Sequence, residues 1–338
     1  MVDPQTVTFG ITLVLIATPL FHLAVVFQKL GLMQSEEIKF DKGIKGILLT
    51  FKEIAKNKWW LLGTIFGIIA WPMYLMSIGL VGFMVSEPIN SIGIILLVIV
   101  ANRYLKEKIA WYELLAILLL AISPILIAAA GISKVVVDLY AMVFPLIIFL
   151  AISGSITIYC FMLSVKTRGT RSEGLYIMLV GSLLLAIGGV FTNILAQAII
   201  QANIKFTWYF WVEIFFGIFW GDYPHLWVFL SWWLMSITNL SSIAFYQSAF
   251  QKERVAIAFP IFDSIGLSIP ILAGIFVFQQ TFNNYFLFFI GIALILIGTL
   301  TLGRFQTEFQ SLDYNQWKLY REKIKKKSKD NEKNPEAN

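Results

Sequence analysis

The sequence predicts an all-α fold, a polytopic membrane bundle of nine or ten transmembrane helices with inverted-topology repeats. Three observations predict this class: the balance of apolar to charged residues, the length of the apolar runs, and the placement of Lys and Arg between the runs. Of the 338 residues, 58% are hydrophobic and 14% are charged. This is too little charge to cover a soluble domain, so we expect much of the surface to face lipid.

Run length predicts the individual spans. A bilayer core about 30 Å thick needs about 20 apolar residues per helix. The first Lys or Arg is Lys29, so no basic segment precedes the first run, and we expect a retained helix rather than a cleaved signal. Nine runs are long enough, at 7–28, 59–81, 83–102, 109–131, 139–164, 174–200, 226–250, 255–278 and 284–303.

The basic residues predict the orientation of these spans. Lys and Arg in short loops stay on the cytoplasmic side of a membrane. With the N-terminus outside, all of the 26 Lys and Arg residues lie in inner loops or the C-terminal tail, except Lys134 and Lys205. We therefore predict nine spans, an outer N-terminus and a cytoplasmic C-terminus, in a multi-pass protein of the cell membrane. This topology accounts for the net charge of +6 without a nucleic-acid partner.

Three further segments lie outside the nine spans. Residues 207–221 are rich in Trp and Phe but short, and they contain Glu213, so we predict an outer interfacial helix; a tenth span is the alternative. Residues 41–57, within the basic loop 31–58, have the pattern of an amphipathic cytoplasmic element. Residues 305–338 are too polar to pack, which predicts a basic, mostly disordered cytoplasmic tail attracted to anionic lipid.

An internal repeat relates two parts of the chain. The stretch 86–109 resembles the stretch 258–282, and in both a Pro-Ile pair precedes a matching motif. That motif is NSIG at 90–93 and, after one inserted residue, DSIG at 263–266. Each copy follows an apolar helix and a very short turn. The repeat therefore predicts that spans 2 to 4 correspond to spans 7 to 9.

The two copies are predicted to cross the membrane in opposite directions, because an odd number of spans separates them. The turns agree with this, since 81–83 is uncharged and its counterpart 251–254 is charged. Inverted repeats allow two exchangeable states, each open to one side, around a site at the midplane. We predict a first transporter half at 1–138 with four spans, and a second at 139–304 with five spans and the outer segment 205–224.

These features resemble the EamA-type module of the drug/metabolite transporter (DMT) superfamily. The resemblance rests on the helix pair with its short turn, the proline-centred helix, the stretch LKEK at 105–108 and the apolar helix that ends at Gly131. It covers most of 7–304. It implies a secondary transporter of a small solute, although that family typically has ten helices and this chain has nine predicted spans.

A weaker resemblance is to the NIPA-like magnesium transporters, which have nine helices. It rests on the stretch QKLGL at 28–32, the Trp pair at 59–60 that opens span 2, and the spacing from Ala249 to Pro260. It implies transport of magnesium or another divalent cation.

The metal ligands that this second resemblance implies are Asp263, Glu87 and carbonyl groups of the spans. NIPA-like proteins usually carry an acid and an Asn in span 2. Counting back from Pro88, those places hold Trp71 and Tyr74 in this chain. Because a hard cation needs oxygen ligands, this departure weighs against magnesium.

Ionisable groups in a bilayer are costly, so each is a candidate functional residue. Asp263 lies about 12 Å into span 8 at about 1.5 Å per residue, beside Pro260 and Gly266, which loosen the helix. We expect it to bind a cation, a proton or a polar solute group, together with its repeat partner Asn90; a buried structural acid is the alternative. Glu87 lies one turn from Asn90 and is a second candidate. The alternative is that it only stabilises the start of its helix, because the helix dipole favours an acid there.

Weaker candidates for substrate or ion binding are other polar residues within spans. His22 is the only His within a span and is a candidate proton carrier, with a packed core histidine as the alternative. Polar stripes along a helix either face a cavity or hold helices together. Three such stripes occur. They are Asn239, Ser242 and Tyr246 on span 7, Asn193 and Gln197 on span 6, and Ser153 and Thr157 on span 5.

The sequence carries no motif of an enzyme or of a nucleotide site, such as a Walker loop, HExxH or GxSxG. Two histidines and the single Cys160 are too few for a His/Cys zinc cluster. We therefore expect no enzymatic activity and no cofactor. The expected partners are a small-molecule or ion substrate, membrane lipid and a second copy of the chain. A non-transporting scaffold or an intramembrane enzyme is the third hypothesis.

Overall fold

The computed structural model is helical, with no strand among the described residues, which are 4–35, 38, 43–81, 83–105, 109–131, 137–170, 172–205, 208–279, 281 and 283–302. A π-helical turn, Ala101–Leu105, continues the fourth helix, and a 3₁₀ turn, Gly217–Trp220, continues the eighth. We number the helices α1 (Pro4–Met33), α2 (Gly43–Ile54), α3 (Lys58–Val81), α4 (Phe83–Val100), α5 (Trp111–Ala129), α6 (Val143–Lys166), α7 (Ser172–Gln201), α8 (Phe210–Phe216), α9 (Tyr223–Lys252), α10 (Val255–Phe276) and α11 (Tyr285–Leu302).

Six helices of the described chain, α1, α6, α7, α9, α10 and α11, are long and apolar enough to cross a membrane. This is the architecture of a multi-pass membrane protein. The other three predicted spans lie on α3, α4 and α5. The predicted span 139–164 begins too early, because Asp138 accepts hydrogen bonds from the N–H groups of Tyr140 and Ala141 and holds a turn ahead of α6. The predicted tail 305–338 lies outside the described residues.

The connections between helices gather at two ends of the bundle. At one end, here called the basic end, α1 meets the start of α3, because Gly31 lies against Trp60. The turn from α9 to α10 lies at the same end, where Arg254 contacts Glu113 in the first turn of α5. Helix α4 leads into α5 and therefore runs toward the basic end. Helix α10 follows the turn after α9 and therefore runs away from it.

At the opposite end, α5 meets α11, because the N–H groups of Asn283 and Asn284 each lie 2.9 Å from a carbonyl oxygen at the end of α5. The last residue of α7, Gln201, donates to the Val137 carbonyl at 2.8 Å. Tyr223, the first residue of α9, donates to the nearby Leu139 carbonyl. The end of α7 and the start of α9, on either side of α8, therefore lie at the same end of the bundle, as expected for an interfacial helix.

Two groups of helices pack in the same order. Helix α1 packs against α3 and α4, and α7 packs against α9 and α10. Glycines permit the close approach in both groups: Gly63 of α3 lies on the α1 backbone, and Gly181 of α7 lies on the α9 backbone. Helix α6 packs on α7, and the main helix contacts of the described residues include no equivalent helix beside α1. It is largely exposed, whereas α7 and α10 are the most buried of the six long helices.

The predicted amphipathic element at 41–57 forms α2, between α1 and α3. Ile54 is buried, and the Phe51 ring packs edge to face on Trp60 of α3. Leu48, Leu49 and the lysine side chains of α2 are exposed on the other side. One face of α2 therefore belongs to the protein core and the other is open.

Helix α9 begins with an N-terminal cap. The Asp222 carboxylate accepts a hydrogen bond from the N–H of His225 at 2.8 Å and lies 2.7 Å from the Nδ1 atom of its ring. Partial burial would raise the pKa of Asp222, but these two hydrogen bonds and the charge of the His225 ring outweigh it and lower the pKa. The cap thus fixes where α9 starts.

Candidate functional site

His22 lies where α1, α4 and α10 meet. Its ring is buried, and Gly93 of α4 lies directly against it. The ring of Phe259, from α10, packs edge to face with His22 at a centroid distance of 5.6 Å. A methyl group at position 93 would overlap the His22 ring and the Thr18 side chain. We call this place the junction, and a glycine is what lets α4 approach it.

The hydrogen bond of His22 assigns its ring proton. Nδ1 lies 2.7 Å from the carbonyl oxygen of Thr18, one turn earlier in α1. A carbonyl oxygen only accepts, so Nδ1 is the donor, and Nε2 of the neutral ring is an acceptor. The core-histidine alternative therefore holds for Nδ1, whose hydrogen bond stays within α1.

Asn90 and Asp263 each lie one helical turn from a residue that touches His22. Asn90 precedes Gly93 by three residues, and Asp263 follows Phe259 by four, spacings that keep both on the same helix faces. Because α4 and α10 run in opposite directions, both residues lie on the same side of His22, about 5 Å farther from the basic end. Helix spacing thus places Asn90 and Asp263 about one turn from the residues that contact His22.

The polar groups at the junction are not all satisfied. Oδ1 of Asn90 is buried and has no hydrogen-bond partner among the described residues. Asp263 is partly buried. An orphaned buried carbonyl costs about 1–3 kcal/mol, so the oxygen of Asn90 is a position where a donor from a ligand would be stabilised.

The predicted metal site gains no support. The side chain of Glu87 lies outside the described residues, although its backbone belongs to α4. In the described part of the chain, no three His, Cys, Asp or Glu side chains gather as a metal site. The hypothesis that Asp263 and Glu87 hold a divalent cation therefore stays a prediction from sequence.

The predicted stripe on α9 faces two helices, α7 and α10. Ser242 donates to the Gly181 carbonyl at 2.7 Å, and Asn239 lies against Gly188. The ring of Tyr246 packs on Phe262 of α10 at a centroid distance of 5.1 Å. Oδ1 of Asn239 is buried without a partner in the described part of the chain. The stripe mainly holds α7 and α9 together, as in the packing alternative.

The pair on α7 lies apart from both places. Asn193 is exposed and donates to the Gly189 carbonyl of its own helix at 3.1 Å. Gln197, one turn further, is partly buried. Neither residue is brought to the junction.

A network of buried charges at the basic end was not predicted from the sequence. We call it the basic-end network, and it consists of Lys29, Glu113, Glu173, Lys252, Glu253 and Arg254. Lys29 of α1 is only 4% exposed, and its Nζ donates to the carbonyl oxygens of Phe250 and, at 2.6 Å, Glu253. This contact ties α1 to the end of α9.

Two ion pairs extend the network to the other helices that begin at this end. Arg254 reaches Glu113 of α5 with an Nη2–Oε1 distance of 2.5 Å, and Lys252 reaches Glu173 of α7 at 3.1 Å. Each glutamate also accepts a hydrogen bond from a backbone N–H just before its helix, that of Ala110 or Gly169. The acids therefore stabilise the helix N-termini as well.

Amide side chains continue the network toward the bundle interior. Gln247 of α9 donates to the side chain of Gln28 at 2.8 Å and accepts from the indole N–H of Trp60 at 3.1 Å. A second amide, Gln251, accepts from the N–H of Ile38 at 2.8 Å. The bonds of Gln247 therefore join α1, α3 and α9 at this end.

The sequence held one signal of this network. Glu113 is an acid near the start of an apolar span, and such an acid needs a partner. The turn 251–254 offers two basic residues, but in the sequence these charges indicate only which side of the membrane a loop occupies.

Comparison of the chain with protein-family models, with curated proteins and with solved structures gives no match. The resemblance to the EamA-type module therefore stays a hypothesis from sequence motifs. What the geometry offers is a polar junction within the bundle and a closed network of charges at one end.

Proposed function

We propose that the protein is a secondary transporter that moves a small solute across the membrane by alternating access between two inverted halves. The observation that carries this proposal is the matched packing of α1 with α3 and α4, and of α7 with α9 and α10. The repeated motifs fall on α4 and α10, which run in opposite directions. Two halves related in this way can exchange between states open to either side.

The basic-end network supports the same proposal. It joins the two halves at one end, from α1 to α9 through Lys29 and from α5 to α10 through Arg254. Ion pairs of this kind have discrete alternatives, because water can replace each partner once the end opens. The network is thus suited to a gate that is closed in this conformation.

The placement of basic residues makes this gate the cytoplasmic one. The loops at the basic end carry nearly all the Lys and Arg between spans, and such loops stay in the cytoplasm. We propose nine crossings, with the N-terminus outside and the C-terminus inside. The junction then lies inside the membrane, beyond the closed gate.

Accessibility of the junction tests this mechanism. Cys160 is the only cysteine, so Cys160→Ser gives a cysteine-free chain in which Asn90→Cys is the single label site. In reconstituted vesicles, we expect a membrane-impermeant maleimide to reach position 90 from the outer side only. Replacing both Glu113 and Arg254 by Gln should open the gate and make position 90 reactive from the cytoplasmic side.

The control for the gate is an ion pair at the same end that lies within one half of the protein. Glu53→Gln breaks the exposed pair with Lys56 and should leave the labelling unchanged. If the cysteine at position 90 does not react with the maleimide from either side in any folded variant, alternating access through the junction is wrong.

Uptake measurements test the transport itself. Vesicles that contain the chain should accumulate at least one solute from a set of amines, amino acids, sugars, carboxylates and magnesium, and Asp263→Asn should reduce the rate. If none of these solutes moves, and Asp263→Asn has no effect in cells that depend on the protein, the scaffold hypothesis is favoured instead.

A further inference from the structure

We propose that α2 binds the headgroups of anionic phospholipids through its open face. This face consists of Lys45, Leu48, Leu49 and Lys52, and we call it the lipid face. Its partner is the bilayer that surrounds the protein, so the binding is separate from transport and would serve a transporter and a scaffold alike.

Helix α2 is held close to the level at which α3 enters the membrane. Oδ1 of Asn57 accepts hydrogen bonds from the N–H groups of Trp59 at 2.9 Å and Trp60 at 3.4 Å, which caps the start of α3. Nζ of Lys58 lies 5.7 Å from the centroid of the Trp59 ring. Trp and Lys at the end of an apolar helix are typical of the headgroup level. The ring of Phe51 packs on Trp60, so α2 lies beside this level.

The lipid face combines apolar and basic side chains. Leu48 is 65% exposed and Leu49 is 57% exposed, and both lysines are exposed as well. Each lysine lies three or four residues from each leucine, so the four side chains are neighbours on one side of the helix.

The length of α2 shows what can cover these leucines. Its 12 residues extend only about 18 Å, which is too short to cross a bilayer. Exposed leucines outside a span are stabilised when they enter the boundary between headgroups and acyl chains. Lysine side chains on the same face can bury their stems there and keep their ammonium groups among the headgroups.

The charge of this segment favours anionic headgroups. Residues 43–58 contain four Lys and one acid, Glu53. Both carboxylate oxygens of Glu53 lie 2.8 Å from Nζ of Lys56, so this acid is paired away from the lipid face. Lysines near a membrane surface attract anionic lipid, whereas a zwitterionic headgroup has no net charge. An acidic soluble protein would match the lysines but would leave the two leucines in water.

A fluorescent label on α2 tests which lipid contacts the lipid face. Cys160→Ser removes the single cysteine, and Ala55→Cys then carries a bimane label. Ala55 is exposed, and its N–H donates to the Phe51 carbonyl at 2.9 Å, so it continues α2 two turns beyond Leu48.

The labelled full-length chain is reconstituted in vesicles of phosphatidylglycerol and phosphatidylcholine, and either lipid carries bromine atoms on its acyl chains. Brominated phosphatidylglycerol should quench the label more strongly than brominated phosphatidylcholine at equal mole fraction. We expect a relative binding constant of about ten in favour of the anionic lipid. High salt should reduce this preference, because it screens the lysines.

Variants assign the preference to the lipid face. The double variant Lys45→Gln/Lys52→Gln should lower the relative binding constant to about one. The matched control is Lys166→Gln/Lys205→Gln, which removes two exposed lysines elsewhere and should keep the preference. Leu48→Ser/Leu49→Ser should weaken quenching by both lipids, because α2 then enters the bilayer less deeply.

The outcomes decide the proposal without any solute. Equal quenching by the two lipids in the parent chain, or an equal loss of preference in the control variant, would overturn the lipid face. If neither brominated lipid quenches the label, α2 lies away from the bilayer and the proposal is wrong; a second copy or a soluble protein then covers the leucines. A failure of transport in the uptake measurements would leave the quenching result unchanged.

Discussion

Arg254, the residue just before α10, holds Glu113 in the first turn of α5 across 141 residues of sequence, with an Nη2–Oε1 distance of 2.5 Å. The Glu113 side chain is 2% exposed. A charge buried this deeply is stable only with its partner in place. The pair therefore links the stability of the bundle to the closure of its basic end.

Arg254→Gln should destabilise the protein by about 3–5 kcal/mol, because it leaves the Glu113 carboxylate buried without its partner. The double variant Glu113→Gln/Arg254→Gln should be less destabilised than the single variant. Unfolding in mixed detergent micelles measures both. Breaking the exposed pair Glu53–Lys56 should cost below about 1 kcal/mol. An equal cost for the exposed and the buried pair would contradict the burial of Glu113.

Lys29→Met should destabilise the contact between α1 and α9 by about 1–3 kcal/mol. The methionine fills a similar volume but leaves the carbonyl oxygens of Phe250 and Glu253 without a donor. The control is Lys58→Met, since Lys58 is exposed and only covers the ring of Trp59. If the two variants have the same free energy of unfolding, the donor role of Lys29 is wrong.

Gly93→Ala should destabilise the protein by about 1–3 kcal/mol, because the added methyl group would overlap the His22 ring and push α4 away from α1. Gly154→Ala is the matched control, since Gly154 lies in α6 with nothing within 4 Å of the new methyl group. That change should be neutral or stabilise by about 0.5–1 kcal/mol through helix propensity. The unfolding midpoints of the two variants should move in opposite directions.

The cap of α9 should make stability depend on pH in the acid range. The pKa of Asp222 is lowered from its ordinary value of 3.8, so its contribution is present above that value and is lost as the pH falls through the folded pKa. Asp222→Asn keeps a capping oxygen but does not titrate. Parent and variant should converge in unfolding midpoint as the pH falls below the ordinary value of 3.8. A constant difference over this range would mean that Asp222 does not titrate with the fold.

The length of the apolar runs predicted the helices well, because each helix that crosses a bilayer must be long and apolar enough by itself. The start of α6 differs from the prediction, since the turn at Asp138 depends on one side chain and not on hydropathy. The basic-end network could not be predicted, because Lys29 and Glu253 meet only after α1 packs on α9. The cost of an ionisable group in a membrane identified Asp263 and His22 as candidates. The sequence did not predict that they lie near each other, because this depends on how α1, α4 and α10 pack.

The close contacts at Gly63, Gly93, Gly181 and Gly266 have a consequence for how kinship would be detected. At each of these positions a neighbouring helix occupies the space that a side chain would need. Many other apolar residues of the spans are exposed on the outside of the bundle, where one apolar side chain can replace another at little cost. We expect distant homologues to keep the spacing of these glycines, together with an amide at the position of Asn90 and an acid at the position of Asp263, even where the rest of the sequence differs.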